Sequence, residues 1–167
     1  MEKKWHAIYV SSRQEKKVDE ALRQKGIVSY LPIVKTLRVW SDRKKMVEFP
    51  LLSGYVFVQM KPIEKDLVLQ TRGVVNFVRS NGKIGVIRES EIESLKQLIA
   101  LGYHMEAFPA TKKITKGDKI KITSGALKNL EGWVAEERDE SFFDIILEGI
   151  GYNVRVKLPE GIIKRTA

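Results

Sequence analysis

The chain of 167 residues contains no cysteine. That excludes a disulfide framework and any thiolate metal centre. It has two histidines, His6 and His104, and neither has a partner at the spacing a metal site or an acid–base pair needs. No Gly-rich phosphate loop of either common type is present. No apolar run reaches 18 residues, so no membrane-spanning helix is expected. The opening residues Met1-Glu2-Lys3-Lys4-Trp5-His6 lack the apolar stretch of a secretion signal. These absences argue against an enzyme, against a cofactor or metal, and for a cytoplasmic protein without membrane contact. Carboxylates gather at Glu136-Glu137 and Asp139-Glu140, but such a run reads first as a solvated hairpin tip.

What the chain does have is apolar content and positive charge. Hydrophobic residues make up 43%, enough for a core in one ordinary domain or two small ones. The formal charge is +9, and it is unevenly spread. Residues 1–103 hold 19 Lys/Arg against 11 Asp/Glu, whereas residues 104–167 hold 11 against 10. A basic face suits a polyanion, because Lys and Arg near phosphates release condensed counterions. The plain alternative is a solvated surface.

Local patterns divide the chain in the same place. Trp5 to Val10 reads as a strand. Ser12-x-x-Glu15 has the form of a capping box, and Val18, Ala21 and Leu22 continue at helical spacing. A helix over 13–25, stopped by Gly26, follows. Tyr30–Val34 and Leu37–Trp40 read as extended, and Met46–Phe49 returns after the basic turn at 41–45, which makes a hairpin. Tyr55–Met60 is β-branched and aromatic on both faces and should be a central strand. Pro62 opens a short helix to about Gln70. Two short strands, Val75–Val78 and Ile84–Ile87, flank the turn Asn81-Gly82. Ser90-x-x-Glu93 is a second capping-box candidate, before a helix closed by Gly102. Residues 103–115 show no periodicity and contain Pro109, which marks a linker. Beyond it come only short strands: Ile120-x-Ile122, Trp133-Val134, Phe142–Leu147, Val154–Leu158 and Ile162-Ile163. That spacing predicts a small SH3-like barrel. The fold class is therefore α+β, an α/β sandwich followed by an all-β barrel.

Residues 116–134, Lys-Gly-Asp-Lys-Ile-Lys-Ile-Thr-Ser-Gly-Ala-Leu-Lys-Asn-Leu-Glu-Gly-Trp-Val, resemble the KOW motif. KOW barrels serve ribosomal proteins as well as transcription factors, so an RNA-binding protein of ribosome assembly stays open at this point. The near-neutral charge of the segment weighs against it. The first part is more specific. Trp5, Glu15-Lys16-Lys17-Val18, Gly26-Ile27, Tyr30-Leu31-Pro32, Pro50-Leu51-Leu52-Ser53-Gly54-Tyr55-Val56-Phe57-Val58 and Thr71-Arg72-Gly73-Val74-Val75-Asn76-Phe77-Val78 resemble, in order and spacing, the NusG N-terminal domain. Within the family, Pro50–Val58 and Thr71–Val78 resemble the specialised paralogues of RfaH/UpxY antiterminator type, and Trp40-Ser41-Asp42-Arg43-Lys44-Lys45 looks UpxY-like.

The resemblance implies domains at 1–102 and 116–167, joined by 103–115. It implies an elongation or antitermination factor that docks on the clamp helices of the largest RNA polymerase subunit, with Trp5, Tyr9, Leu52, Tyr55 and Phe57 at the matching positions. Leu52 stands where relatives often carry Phe. Contacts to non-template DNA would come from Arg13, Gln14, Lys17 and Arg72, and the hairpin tip, Arg43, Lys44 and Lys45, would touch upstream DNA. The KOW loops would meet the ribosomal protein NusE, or Rho, near Leu127, Leu130, Ile150 and Tyr152. A monomer is expected.

Overall fold

A computed structural model describes residues 2–110, 119–122, 130–137 and 140–158. The N-terminal part runs β1 (Lys4–Val10), α1 (Glu15–Gln24), β2 (Val28–Tyr30), β3 (Ile33–Val39), β4 (Lys44–Pro50), β5 (Tyr55–Met60), a 3-10 turn (Pro62–Glu64), α2 (Lys65–Leu69), β6 (Val74–Phe77), β7 (Arg79–Ser80), β8 (Lys83–Ile84) and α3 (Glu89–Ala100). The C-terminal part contains β9 (Met105–Pro109), β10 (Lys119–Lys121), β11 (Glu131–Glu137), β12 (Glu140–Leu147) and β13 (Tyr152–Lys157).

Four antiparallel strands in the order β2-β5-β1-β6 form the central sheet. The two middle strands are apolar on both faces, as a strand covered on both sides must be. On one face Trp5, Ala7 and Phe57 join Ile92, Leu95 and Leu98 of α3. On the other, Ile8, Val10, Val56, Val58 and Met60 join Val18 and Leu22 of α1 and Val68 of α2. Strands β3 and β4 leave this sandwich as a separate two-stranded arm, paired from Ile33↔Pro50 to Val39↔Lys44.

Both expected capping boxes are replaced by other devices. Arg13 adopts φ 64°, a left-handed conformation, and delays the first helix to Glu15, with Gln14 at its N-cap. Glu15 is freed from its expected role, and its Oε1 accepts a hydrogen bond from the Gly54 N–H at 3.1 Å. That bond ties the start of α1 to the β4–β5 turn. Helix α3 begins at Glu89, before the expected Ser90 cap, because Glu91 Oε1 reaches back to the Arg88 N–H at 3.1 Å.

The segment expected as an unpatterned linker holds a strand. Met105–Pro109 pairs antiparallel with β13, completing a sheet in the order β10-β11-β12-β13-β9. Met105 faces the core while Glu106 faces solvent, so a period of two was present but short. Pro109 sits at the strand's end on a sheet edge, where a missing N–H costs no ladder bond. The five strands form the small barrel, cored by Val134, Phe143, Ile145, Leu147, Val154 and Val156. Its outer side carries an ion pair that the charge count could not locate. Asp144 is fully buried, and both its oxygens accept from Arg155, Nε and Nη2, at 2.9 Å each. The guanidinium also lies over Phe142 and Phe108, at 4.9 and 5.5 Å from the ring centroids. The expected strand Ile162-Ile163, and most of the KOW-like turn including Gly125, lie outside the described residues.

Candidate functional site

The positions expected at a docking surface separate into two groups. Trp5, Leu52 and Phe57 are core residues in one apolar cluster, with Trp5 and Phe57 on the sheet face that α3 covers and Leu52 in the β4–β5 turn. Lys96 of α3 reaches over the Trp5 ring at 5.7 Å and the Tyr30 ring at 5.2 Å. Tyr9 and Tyr55 are different. They are directly opposed on β1 and β5, with ring centroids 5.1 Å apart. Tyr9 remains 40% exposed. Asn76 of β6 lies opposite Tyr9 on its other side.

A basic corner adjoins this pair. The Ser11 N–H donates to the Gly73 carbonyl at 2.8 Å, and the Val10 N–H donates to the Gly54 carbonyl at 2.9 Å. Those bonds draw the β1–α1, β4–β5 and α2–β6 turns together at the end of the sheet that carries Tyr9 and Tyr55. They place Arg13 and Gln14 on one turn, Arg72 on its neighbour, and Lys17 on the first turn of α1. Arg13, Lys17 and Arg72 are exposed. The backbone strain at Arg13 falls within this corner. A non-glycine residue at positive φ costs about 1–3 kcal/mol and persists where surrounding structure over-determines it.

The other basic positions lie on the arm. Arg43, Lys44 and Lys45 are exposed at and beside its tip, where the Trp40 N–H donates to the Arg43 carbonyl at 2.8 Å. The arm's root is close to the basic corner in the chain path. The Leu51 N–H donates to the Pro32 carbonyl at 2.9 Å, and the turn that follows leads to Gly54.

The expected barrel contacts are not a free surface. Leu127 lies outside the described residues, and Leu130 is buried in the barrel. Ile150 and Tyr152 are half-buried against an apolar cluster that spans both parts of the chain. The Tyr55 hydroxyl donates to the Tyr152 hydroxyl at 3.3 Å, with the rings edge to face at 5.1 Å. Burial first, and the Tyr152 hydrogen bond second, raise the Tyr55 pKa well above the usual tyrosine value. Tyr30 is likewise pushed up to about 12, by burial and then by the charge of Glu93.

Two residues missed from sequence make this domain contact close. A Cβ on Gly85 would run into the Gly149 carbonyl oxygen, and a Cβ on Gly149 into that of Val86. Gly85 between Ile84 and Val86 was the available signal, since a glycine inside a strand pattern marks close backbone approach. Among the described residues no group of His, Asp and Glu is arranged to hold a metal ion. No helix among them is long and apolar enough to cross a membrane.

Comparison with known proteins agrees with this architecture. The family model described as "Transcription termination factor nusG" matches residues 3–96, more than half of the chain. The transcription termination/antitermination protein NusG of Chlamydia pneumoniae is 27% identical over 165 residues, covering 92% of this chain and 89% of the relative. The Borreliella burgdorferi protein of the same description is 22% identical over 152 residues, covering 81% and 83%. A solved structure of Thermotoga maritima NusG, whose subject is domain interaction, superposes with a TM-score of 0.50 at 26% identity and covers 93% of each chain. The chain belongs to the NusG family of transcription termination and antitermination factors.

Proposed function

We propose that this chain is a specialised antitermination factor that docks on the clamp helices of RNA polymerase through the Tyr9–Tyr55 end of its sheet. The neighbouring basic corner, Arg13, Gln14, Lys17 and Arg72, then holds the exposed non-template DNA strand. One observation carries this reading: the Tyr9–Tyr55 pair, with Tyr9 exposed and Tyr55 half-buried, and the basic corner occupy the same end of the sheet, joined by the Ser11–Gly73 and Val10–Gly54 hydrogen bonds. Aromatic side chains give large contact area at low entropic cost, which suits a hot spot. Arg and Gln can bond base edges, and Lys fixes position on phosphate. No chemistry is needed. Binding that favours the closed clamp disfavours pausing by shifting a conformational equilibrium. The factor works in the cytoplasm, on few operons rather than all.

The barrel sets when this happens. Tyr152 covers Tyr55 in the closed arrangement, so polymerase and barrel compete for one side chain. The Thermotoga maritima relative, with its domain interaction, supports a contact of this kind. Release of the barrel also frees Ile150 and Tyr152 for a protein partner, NusE or Rho. The test is Tyr55→Ala. It lowers polymerase affinity by about tenfold, the scale of one interface hot spot, while the protein stays folded by circular dichroism. Unchanged affinity removes the docking assignment.

A further inference from the structure

The β3–β4 arm leaves side chains in solvent that a sandwich would bury. Trp40 is 45% exposed, Val39 66%, and Leu37 and Met46 are exposed beside each other in register. These residues are interleaved with charge. Over residues 38–45 the chain carries Arg38, Arg43, Lys44 and Lys45 against the single acid Asp42. Glu48, further down, is engaged by Lys35 at 3.5 Å. Two guanidiniums sit on aromatic faces: Arg43 lies 5.4 Å from the Trp40 ring centroid and Arg38 lies 5.8 Å from that of Phe49. The Trp40–Arg43 hydrogen bond closes the tip, so the indole is presented on a defined turn rather than a loose loop.

We propose that the arm is a single-stranded DNA rail on which Trp40 stacks an unpaired base. Arg38, Lys44 and Lys45 hold the flanking phosphates. The arm does this only if the chain meets DNA at all, as read above for the basic corner. A duplex keeps its bases stacked and offers phosphates and groove edges, which an exposed indole cannot use. An unpaired base offers its π-face, and every base has one, so stacking tolerates any sequence. The Arg43 guanidinium, 5.4 Å from the centroid of the same ring, adds charge attraction to the platform. The occupant is DNA because the arm's root continues into the basic corner through Leu51 to Gly54. Strands of seven residues carry the tip roughly 20 Å from that root, far enough to follow an extended strand.

The test uses the full chain and fluorescein-labelled oligonucleotides of about 12 nucleotides, within the usual span of single-strand sites. Fluorescence anisotropy measures affinity for single-stranded DNA, the same sequence as duplex, and the same sequence as RNA. Trp40→Ala weakens single-stranded DNA by about tenfold and changes duplex binding less than about twofold, the expectation for one lost base stack. Trp40→Phe keeps a ring and stays within about threefold of the parent. The double variant Lys44→Ala/Lys45→Ala weakens single strand and duplex together and flattens the salt dependence. Equal loss on single strand and duplex for Trp40→Ala, or no loss, overturns stacking and leaves an electrostatic arm. Tighter binding to RNA than to DNA overturns the assigned strand. If the parent binds none of the three, the arm and the basic-corner reading fail together.

Discussion

Trp5 and Trp40 both belong to extended strand regions near a lysine or arginine, and they have opposite fates. Trp5 lies on the sheet face beneath α3, in the same cluster as Ala7, Phe57 and Leu95. Trp40 lies at the tip of a two-stranded arm and is 45% exposed. The difference is in the layers, not in the residue. A sheet face covered by a helix turns each inward aromatic into core, while an uncovered hairpin turns the same side chain into surface for something else. Exposed large apolar patches on a soluble domain mark contact sites more often than defects.

The largest effect separates those two regions by stability. Phe57→Ala removes a fully buried ring from the centre of the cluster. It should cost about 3–5 kcal/mol, a large share of what holds a domain of this size folded. Trp40→Ala should change stability by less than about 0.5 kcal/mol. Urea denaturation of both variants measures the contrast. Equal losses would mean that the arm packs on the sandwich in solution.

The next effect asks whether the barrel depends on its own charge pair in the way the N-terminal part depends on apolar packing. Asp144→Asn keeps the shape but leaves the Arg155 guanidinium without its bidentate carboxylate. Breaking one side of a buried pair costs about 3–5 kcal/mol, and partial exposure of Arg155 places this one at the lower end. The barrel transition should move to lower denaturant while the N-terminal transition stays in place. A single transition moved as a whole would show that the two parts unfold as one body.

These contrasts also show what was legible in the sequence. Alternation marked β1 and β5 as central strands, and the SH3-like spacing marked the barrel, because both signals are local. The layer above a strand is not local. Trp5 and Phe57 match the docking positions by sequence, yet α3, supplied from 30 or more residues downstream, covers that face. Strand β9 was hidden for the same reason: its partner β13 comes from the far end of the chain. The caps failed at shorter range. Ser12 and Ser90 fit the pattern, but Arg13 at positive φ and Glu91 reaching back to Arg88 decided where the helices start.

The domain contact gives the third effect, smaller in free energy but direct in function. Gly149→Ala places a methyl group against the Val86 carbonyl and should separate the barrel from Tyr55. Polymerase affinity rises by several-fold if the barrel competes for Tyr55, since the binding-competent fraction rises. Unchanged affinity would mean the two sites do not compete. The same contact should be alkali-sensitive. The Tyr55 pKa is raised by burial and by Tyr152, so below about pH 10 both separated and docked forms keep the proton and the contact is intact. As the pH climbs from there through the raised value, the separated form loses its proton first and the contact weakens. Domain separation followed by small-angle scattering across that range checks the sign.

The smallest effect returns to the basic corner and opposes stability to function. Arg13 holds φ 64°, a conformation that glycine adopts without penalty. Arg13→Gly removes that strain but adds backbone freedom to the unfolded chain, for a net gain of about 0.5–1 kcal/mol. The melting temperature should rise by about 1–4 °C for a chain of this length. Affinity for single-stranded DNA should fall about fivefold or more, because a guanidinium able to bond base edges or phosphate is gone. Arg13→Lys keeps both the strain and the charge, so it should leave stability unchanged and lose only the bidentate part of the contact. A variant that is more stable and binds worse identifies Arg13 as strained for the sake of its contact. If Arg13→Gly is more stable and binds equally well, the corner keeps its left-handed residue only to delay α1, and the DNA reading rests on Gln14, Lys17 and Arg72 alone.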